Sequence, residues 1–273
     1  MRAPCLPRTI LLVLLVFFAS GSLWGAESKK RPSLCNVRHP SDAMVEWDCR
    51  RLKKGETPEG LFGERWKDVA RFNRVDRRHI FPGLPLKVPH RITEITDYTP
   101  MPAVYPPAEK ESKLILLDLS EQFLGAYEFG CLVFSAPVTT GEKGNETPTG
   151  DFRITALDSR HRSTLYTIED TDIPYPMTYA LRFHVSRAGT SFWIHGRDIP
   201  GYPDSHGCIG LSDEVMQKKY YRVPREPVLE DAKALFVWAI APLRDDGNFR
   251  VLEEGPRLWI IGTLPVPMIG VHE

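Results

Sequence analysis

The densest group of reactive side chains lies between His195 and Cys208, in the stretch HGRDIPGYPDSHGC. An apolar run at residues 192–194 precedes His195 and predicts the end of a strand that delivers the imidazole. A cysteine thiol becomes a strong nucleophile when a base or a positive field favours its thiolate. An imidazole titrates near neutral pH and can act as that base. The two residues therefore predict nucleophilic catalysis by Cys208, with His195 as its proton acceptor.

The turn before the cysteine carries Ser205, His206 and Gly207. A cysteine on a glycine-bearing turn exposes backbone N–H groups that can hold the oxyanion of a tetrahedral intermediate. A zinc site is the alternative interpretation, with His195, His206 and Cys208 as three ligands. Zinc sites usually show paired ligands at short spacing in two places, and the sequence has only one such pair here. The prediction is a metal-free nucleophilic site.

Short apolar strands separated by glycine-bearing turns must position this site. Strands are predicted at residues 114–119, 123–129, 132–139 and 151–156, and in the C-terminal run LWIIGTLPVP. They predict a mainly β domain, either a sandwich or a curled sheet. One helix is predicted over residues 229–240, because its apolar residues fall on one face: Ala232, Leu235, Phe236 and Ile240.

A smaller unit is predicted upstream, at residues 44–90. A strand at 45–51 is followed by a turn and by Thr57, which can cap a helix that begins at Pro58. A second helix is predicted at 66–73 and a second strand at 84–88. The predicted order is strand, helix, helix, strand.

The segments around this unit are predicted to be less regular. Residues 1–26 carry a basic start and an apolar run at 10–19, which is typical of a cleaved signal peptide, with an uncleaved anchor as the alternative. We therefore expect export to the periplasm or cell envelope. Residues 27–43 are predicted to be a leader, which is basic, polar and frayed at 29–33. Residues 91–112 include YTPMPAVYPP and predict a semi-rigid, extended linker.

The cysteines fall into different groups. Cys5 lies within the predicted signal peptide, and Cys35 and Cys49 are close enough in sequence to close a small loop as a disulfide or to stay free. Cys131 lies in the apolar stretch CLVFSAPV and is predicted to be buried. A disulfide between Cys131 and Cys208 remains an alternative to a free catalytic thiol.

Composition narrows the class of protein. The chain has 273 residues, of which 42% are hydrophobic and 26% charged, as in globular proteins of one or two domains. Lys and Arg total 35, as do Asp and Glu. This balance argues against a nucleic-acid partner, which normally selects a basic surplus.

The stretch SHGCIGL at 205–211, with IHG at 194–196 upstream, resembles the signature of the YkuD-type L,D-transpeptidases. The hairpin predicted at 113–127, the TPTGDF loop at 147–152 and the segment at 175–183 resemble further parts of that family, in the expected order. The resemblance implies a YkuD-like β-sandwich with peripheral helices, here predicted over residues 113–267. It also implies that neither a metal nor an organic cofactor is needed.

The same resemblance implies residue roles. Cys208 is the nucleophile and His195 the proton acceptor and donor. The backbone N–H groups near His206, Gly207 and Cys208 form the oxyanion hole. Ser205 and His206 shape the loop and orient the imidazole. Tyr179 lies in the segment that lines the donor cleft of the family and is therefore predicted to bind substrate.

The sequence departs from the family two residues after the nucleophile. Gly210 stands where the family usually has Arg or Asn. Arg197, from the facing loop, is predicted to supply a substrate-binding charge in its place.

The implied reaction begins with a peptidoglycan tetrapeptide stem bound as donor, which forms a thioester with the cysteine. Attack by a second stem would give a cross-link, attack by a protein lysine an anchored protein, and attack by water an L,D-carboxypeptidase product. The upstream unit at 44–90 resembles a LysM module through Lys54–Thr57, the stretch 68–73 and Pro82–Pro89, which implies binding to glycan chains. Alternatives are a βααβ unit without glycan affinity and a non-catalytic wall-binding protein.

Overall fold

The computed structural model describes residues 32–265. The predicted signal peptide, residues 1–26, lies outside the described residues. The described part of the predicted leader is not frayed: Leu34 and Val37 are each 1% exposed. It forms 3₁₀ turns at Leu34–Asn36 and Pro40–Met44, and the disulfide Cys35–Cys49 joins it to the first strand. Most of the stretch predicted to be frayed, residues 29–31, lies outside the described residues, whereas the apolar side chains that follow it are buried.

The N-terminal unit has the predicted strand–helix–helix–strand order. It consists of β1 (Trp47–Arg51), α1 (Pro58–Phe62), α2 (Trp66–Phe72) and β2 (Pro85–Pro89). β1 and β2 pair antiparallel, and the Thr57 side chain caps α1 by accepting a hydrogen bond from the Gly60 N–H. Trp66, Ala70 and Leu86 are buried in its own small core.

Two five-stranded sheets form most of the remaining structure, which confirms the prediction of a mainly β domain. One sheet has the order β5-β4-β3-β14-β6 and the other the order β12-β11-β10-β7-β13. The strands of the first sheet are β3 (Leu114–Asp118), β4 (Phe123–Glu128), β5 (Cys131–Pro137), β6 (Gly150–Arg153) and β14 (Arg257–Ile261). Those of the second are β7 (Ala156–Asp158), β10 (Ala180–Val185), β11 (Ser191–Arg197), β12 (Ile209–Ser212) and β13 (Arg250–Val251).

Smaller elements flank these sheets. A separate hairpin, β8 (Arg162–Thr167) with β9 (Pro174–Pro176), and helices α3 (Glu214–Tyr221) and α4 (Asp231–Ile240) complete the fold. α4 is the helix predicted at 229–240, and its four predicted core residues are buried. They pack with both sheets in one core that includes Leu117, Leu181 and Ile194. Among residues 32–265, no helix is long and apolar enough to cross a membrane.

The predicted linker, residues 91–112, packs against the first sheet instead of spanning a gap. Met101 and Ala108 are buried with Phe123 and Tyr127 of that sheet. The Tyr105 N–H donates to Gly130 O at 2.7 Å, and the Leu132 N–H donates to the carbonyl of residue 103 at 3.0 Å. The extended-spacer interpretation was wrong because the residues between the prolines are apolar and aromatic.

A buried ionic cluster ties the N-terminal unit to the β domain. The fully buried Arg74 donates to Asp42 Oδ1 at 3.1 Å and to Glu121 Oε2 at 3.0 Å. Lys87 donates from Nζ to Asp42 Oδ2 at 2.6 Å, and burial lowers the Lys87 pKa to about 8. Buried charges are tolerated only when they are paired and hydrogen-bonded. The N-terminal unit and the β domain therefore belong to one packed body.

The prediction that Cys131 is buried was wrong. Cys131 is a free, exposed cysteine at the start of β5. β5 is an edge strand, and its alternation turns Cys131 and Val133 outward, so an apolar sequence run does not mean burial at this edge.

Candidate active site

Parallel pairing of two strands brings the reactive residues together. β11 and β12 pair with Ile194 opposite Ile209 and His195 opposite Gly210. Cys208 immediately precedes β12, so it lies beside the strand that carries His195 although it follows His195 by 13 positions in sequence. Cys208 and His195 both line a cavity of about 720 Å³.

His195 is placed to act as a neutral base. Its side chain is buried, and Nδ1 lies 2.9 Å from Gly196 O. Because a carbonyl oxygen only accepts, this contact assigns the proton to Nδ1 and leaves Nε2 as the basic nitrogen. Burial lowers the His195 pKa to about 3, and Arg197 contributes in the same direction. The imidazole is therefore uncharged at neutral pH.

The Cys208 thiol is protonated at rest. Burial raises its pKa, and the Trp193 backbone N–H and the positive charge of Arg197 partly oppose this effect. Both nearby groups favour the thiolate, but burial outweighs them. The site is therefore suited to proton transfer during attack, with no preformed thiolate.

The turn before Cys208 is held by its own hydrogen bonds. Ser205 Oγ donates to Cys208 O at 2.6 Å and accepts from the Gly207 N–H at 3.2 Å. Thr147 Oγ1 donates to Gly207 O at 2.9 Å. Gly207 has φ +107°, and a Cβ there would lie 2.5 Å from the Phe192 ring. Ser205 therefore fixes the turn directly, and only glycine fits at position 207.

His206 is exposed at the rim of the cavity. Its ring stacks on Tyr166 of β8, with centroids 4.8 Å apart and an interplanar angle of 24°. The β8–β9 hairpin thereby covers one side of the catalytic turn. Sequence reasoning did not find Tyr166, because its contact with His206 depends on the fold.

The structure does not bring Tyr179 into the cavity. Tyr179 packs on Phe236 of α4, with ring centroids 5.8 Å apart. Tyr175 and Met177, from the same segment, line the cavity instead. The substrate-binding role predicted for Tyr179 therefore does not fit its position. The segment was identified correctly, but which of its side chains face the cavity depends on the local backbone, where Tyr179 has φ +55°.

Arg197 reaches the cavity by crossing Gly210. A Cβ at position 210 would overlap Cγ and Cδ of Arg197. Arg197 Nε donates to Asp198 O at 3.0 Å and Nη1 to Asp204 O at 3.3 Å, and the residue lines the cavity. The absence of a side chain at 210 is thus what allows a cation to approach from β11.

A second histidine lines the cavity and was missed from the sequence. His161 Nδ1 lies 3.0 Å from Asp158 Oδ2, and its ring stacks on Trp193 with centroids 4.3 Å apart. In the sequence, only the spacing of Asp158 and His161 indicates that the two side chains could pair. Their place at the cavity becomes evident only from the fold, because the His161 ring stacks on Trp193, two residues before His195.

The alternatives left open for Cys208 find no support in the geometry. Across residues 32–265, no group of three or more His, Cys, Asp or Glu side chains is arranged to hold a metal ion. Cys131 and Cys208 are both free, so neither forms the alternative disulfide.

Several solved structures resemble the chain. An L,D-transpeptidase from Stackebrandtia nassauensis is 23% identical in sequence with a TM-score of 0.37, and the match covers 57% of this chain and 58% of that one. An L,D-transpeptidase from Mycobacterium smegmatis is 17% identical with a TM-score of 0.35, and the match covers 55% of this chain and 58% of that one. A mutant L,D-transpeptidase from Enterococcus faecium is 18% identical with a TM-score of 0.35, and the match covers 55% of this chain and 49% of that one. The match thus spans about half to three fifths of each of those chains. No curated protein matches the sequence.

A family model gives the more direct comparison. The model of the YkuD family, described as the L,D-transpeptidase catalytic domain, matches residues 112–246. This range contains His195, Cys208 and the whole turn between them. It also begins within one residue of the start predicted for the catalytic domain. The match confirms, for residues 112–246, the YkuD L,D-transpeptidase catalytic domain that the motifs around Cys208 predict.

Proposed function

We propose that the chain is a peptidoglycan L,D-transpeptidase that acts through a thioester on Cys208. The observation that carries this proposal is the convergence of Cys208 and a neutral His195 on one cavity within the YkuD domain. The proposed donor is a tetrapeptide stem. The cavity's mixture of apolar walls and a few polar groups, among them Arg197 and His161, suits a peptide ligand.

Acylation follows from the protonation states of the two residues. His195 Nε2 takes the thiol proton as Sγ attacks the carbonyl carbon of the third stem residue. The backbone N–H groups of the turn at His206 and Cys208 stabilise the oxyanion. The C–N bond then breaks, and the proton on His195 passes to the leaving amine of the terminal D-alanine. The products are a thioester on Cys208 and free D-alanine.

Deacylation reverses these roles. An acceptor amine attacks the thioester carbonyl and gives a proton to His195. The C–S bond breaks, and that proton returns to the Cys208 sulfur. An amine on a second stem gives a cross-link, a protein lysine gives an anchored protein, and water gives a trimmed stem. The acceptor alone therefore distinguishes transpeptidation from L,D-carboxypeptidation.

The N-terminal unit is proposed to bind the glycan chains of the wall as a LysM-like module. Its strand–helix–helix–strand order and the Lys54–Thr57 turn support this proposal. Binding of the full chain to purified sacculi and to N-acetylglucosamine oligomers, with a soluble β-glucan as control ligand, tests it. Equal retention on the control would mean that the unit is structural.

Export to the cell envelope is proposed from the basic and apolar N-terminal stretch. The Cys35–Cys49 disulfide supports it, because disulfides persist in oxidising compartments. Cell fractionation and mass spectrometry of the mature N-terminus test this proposal. Full-length chain recovered from the cytoplasm would contradict it.

Intact-protein mass spectrometry tests the catalytic proposal. The purified chain is mixed with tetrapeptide-stem muropeptides beside Cys208→Ala. A donor adduct on the wild type only, with a cross-linked or trimmed product in solution, is the expected result. Bound glycan without any adduct or product would instead indicate a non-catalytic wall-binding protein.

A further inference from the structure

The N-terminal unit reaches the end of the strand that carries His195. Asp76 N donates to Ile199 O at 3.0 Å, and Ile199 N donates to Asp76 Oδ2 at 2.5 Å. Val75 and Pro200 form an antiparallel bridge beside this pair. Backbone from the N-terminal unit therefore holds the chain immediately after β11.

Asp198, three residues after His195, is where the side chains of the two parts meet. Arg78 Nη1 donates to Asp198 Oδ2 at 2.5 Å, and His79 Nε2 lies 3.3 Å from the same oxygen. Both residues belong to the N-terminal unit, in the 3₁₀ turn Arg77–His79. His79 Nδ1 lies 2.9 Å from Asp76 Oδ1, which orients the ring, and Arg78 Nη1 lies 3.4 Å from His79 Nε2.

The other oxygen of Asp198 faces the catalytic cavity wall. The Tyr175 hydroxyl donates to Asp198 Oδ1 at 3.0 Å, and Arg197 Nε lies 4.0 Å from that oxygen. Tyr175 and Arg197 line the cavity that contains Cys208. Burial acts to raise the Asp198 pKa, but Arg197, His79 and Arg78 together hold it at about 2, so the group is a carboxylate.

We propose that Arg78 and His79 are positioning residues of the active site, which act through Asp198 on Tyr175 and Arg197. Their two contacts to Oδ2 fix the plane of the carboxylate, and this leaves Oδ1 directed at the Tyr175 hydroxyl. Without Arg78, the carboxylate is free to turn towards Arg197 and draw the guanidinium away from the cavity wall. The N-terminal unit would then be part of the catalytic apparatus as well as a binding module. The inference rests on the proposed function of the cavity.

Two variants and a matched control test the ion pair. Arg78→Ala removes it, Arg78→Lys retains the charge, and Arg77→Ala removes the neighbouring cation, which pairs with Glu59. We expect Arg78→Ala to lose about tenfold in kcat/KM on the stem tetrapeptide, since misplacement by about 1 Å can cost up to about 100-fold. Arg78→Lys should recover most of the loss, and Arg77→Ala should match the wild type.

Alkylation of the two free cysteines provides a readout that needs no substrate. Arg197 favours the Cys208 thiolate, so its displacement should slow the reaction of Cys208 with iodoacetamide several-fold at fixed pH. Cys131 is exposed on the edge strand and serves as the reference within the same molecule. We expect the ratio of Cys208 to Cys131 alkylation to fall in Arg78→Ala and to recover in Arg78→Lys.

Coupling between Arg78 and Tyr175 tests the proposed route. If both act through Asp198, Arg78→Ala combined with Tyr175→Phe should lose less than the product of the two single effects. Should Arg78→Ala fail to fold, Arg78→Gln replaces it, because it keeps an N–H donor without the charge. Wild-type kcat/KM and alkylation ratio in the neutral variant, or an equal loss in Arg77→Ala, would overturn the inference. A wild type that turns over no stem peptide refutes the proposed function, whereas the alkylation ratio still decides the positioning role.

Discussion

The protonation state of Cys208 at rest determines how this protein reacts with small electrophiles. Burial raises the thiol pKa above its usual value near 9 and lowers the His195 pKa to about 3. A thiol with a pKa above 9 is less than about 1% thiolate at pH 7. The rate of alkylation by iodoacetamide should therefore rise about tenfold for each pH unit between pH 6 and 9.

Peptide mass spectrometry after timed alkylation measures this dependence for each cysteine separately. Cys208→Ala assigns the peptide, and Cys131 reports whether the reagent behaves equally at each pH. His195→Gln is the informative perturbation. If His195 is neutral at rest, this variant should abolish turnover but change the Cys208 alkylation rate at pH 6 by no more than about threefold, because no imidazolium was stabilising a thiolate.

A preformed thiolate–imidazolium pair would behave differently. Cys208 would then alkylate rapidly and at a constant rate from pH 6 upward, and His195→Gln would slow it strongly. Either result would mean that burial does not control the two pKa values. The reasoning about base-assisted attack would then be wrong, although the identity of the nucleophile would stand.

Three further predictions concern packing and charge. Gly210→Ala should displace Arg197 and thereby lower kcat/KM, measured by steady-state kinetics. It should also reduce the free energy of unfolding, measured by urea denaturation, by about 1–3 kcal/mol. Unchanged kinetics would show that Arg197 does not contribute to substrate binding. Arg74→Met should cost about 3–5 kcal/mol of unfolding free energy, because Glu121 loses the guanidinium that pairs with it and Asp42 keeps only Lys87. Arg50→Met at an exposed pair should change the urea midpoint little, and equal effects of the two substitutions would contradict the buried-cluster argument. Because the folded-state pKa of His195 is lowered to about 3 from 6.5, the unfolded state binds more protons there, and His195 should contribute a loss of stability of about 1.4 kcal/mol per pH unit as the pH drops through that window. Asp231, whose pKa burial raises to about 6, contributes with the opposite sign, so the test is the difference between wild type and His195→Gln in urea titrations. Identical pH slopes in the two proteins would refute the assignment.

The sequence predicted the catalytic domain and the local elements well. The motif around Cys208 predicted the domain that the family model matches, and apolar periodicity located α4 and most strands, because these signals are contained in short stretches of chain. Tertiary placement was harder. Cys131 points outward because β5 lies at the edge of its sheet. Residues 91–112 pack as they do because β3 and β4 supply an apolar surface.

The contacts of the polar side chains around the cavity could not be predicted from the sequence either. Arg78 and Asp198 are 120 residues apart in sequence, and no local pattern predicts that their side chains meet. Tyr175 and Tyr179 lie in one segment, but only the backbone conformation decides which of them faces the cavity. His161 lines the cavity with its ring stacked on Trp193. Each of these residues needed the fold before its contribution could be recognised.

The packing of residues 91–112 has a consequence for the distance between the N-terminal unit and the cavity. A flexible tether would give the cavity a broad distribution of distances from a bound glycan chain and an effective concentration set by linker length. Because residues 91–112 pack on the β domain, the distance between the N-terminal unit and the cavity is nearly fixed. If the N-terminal unit binds glycan as proposed, the bound strand would present to the cavity only those stem peptides that lie at one distance along it. The proposed reaction would then be confined to sites with that spacing.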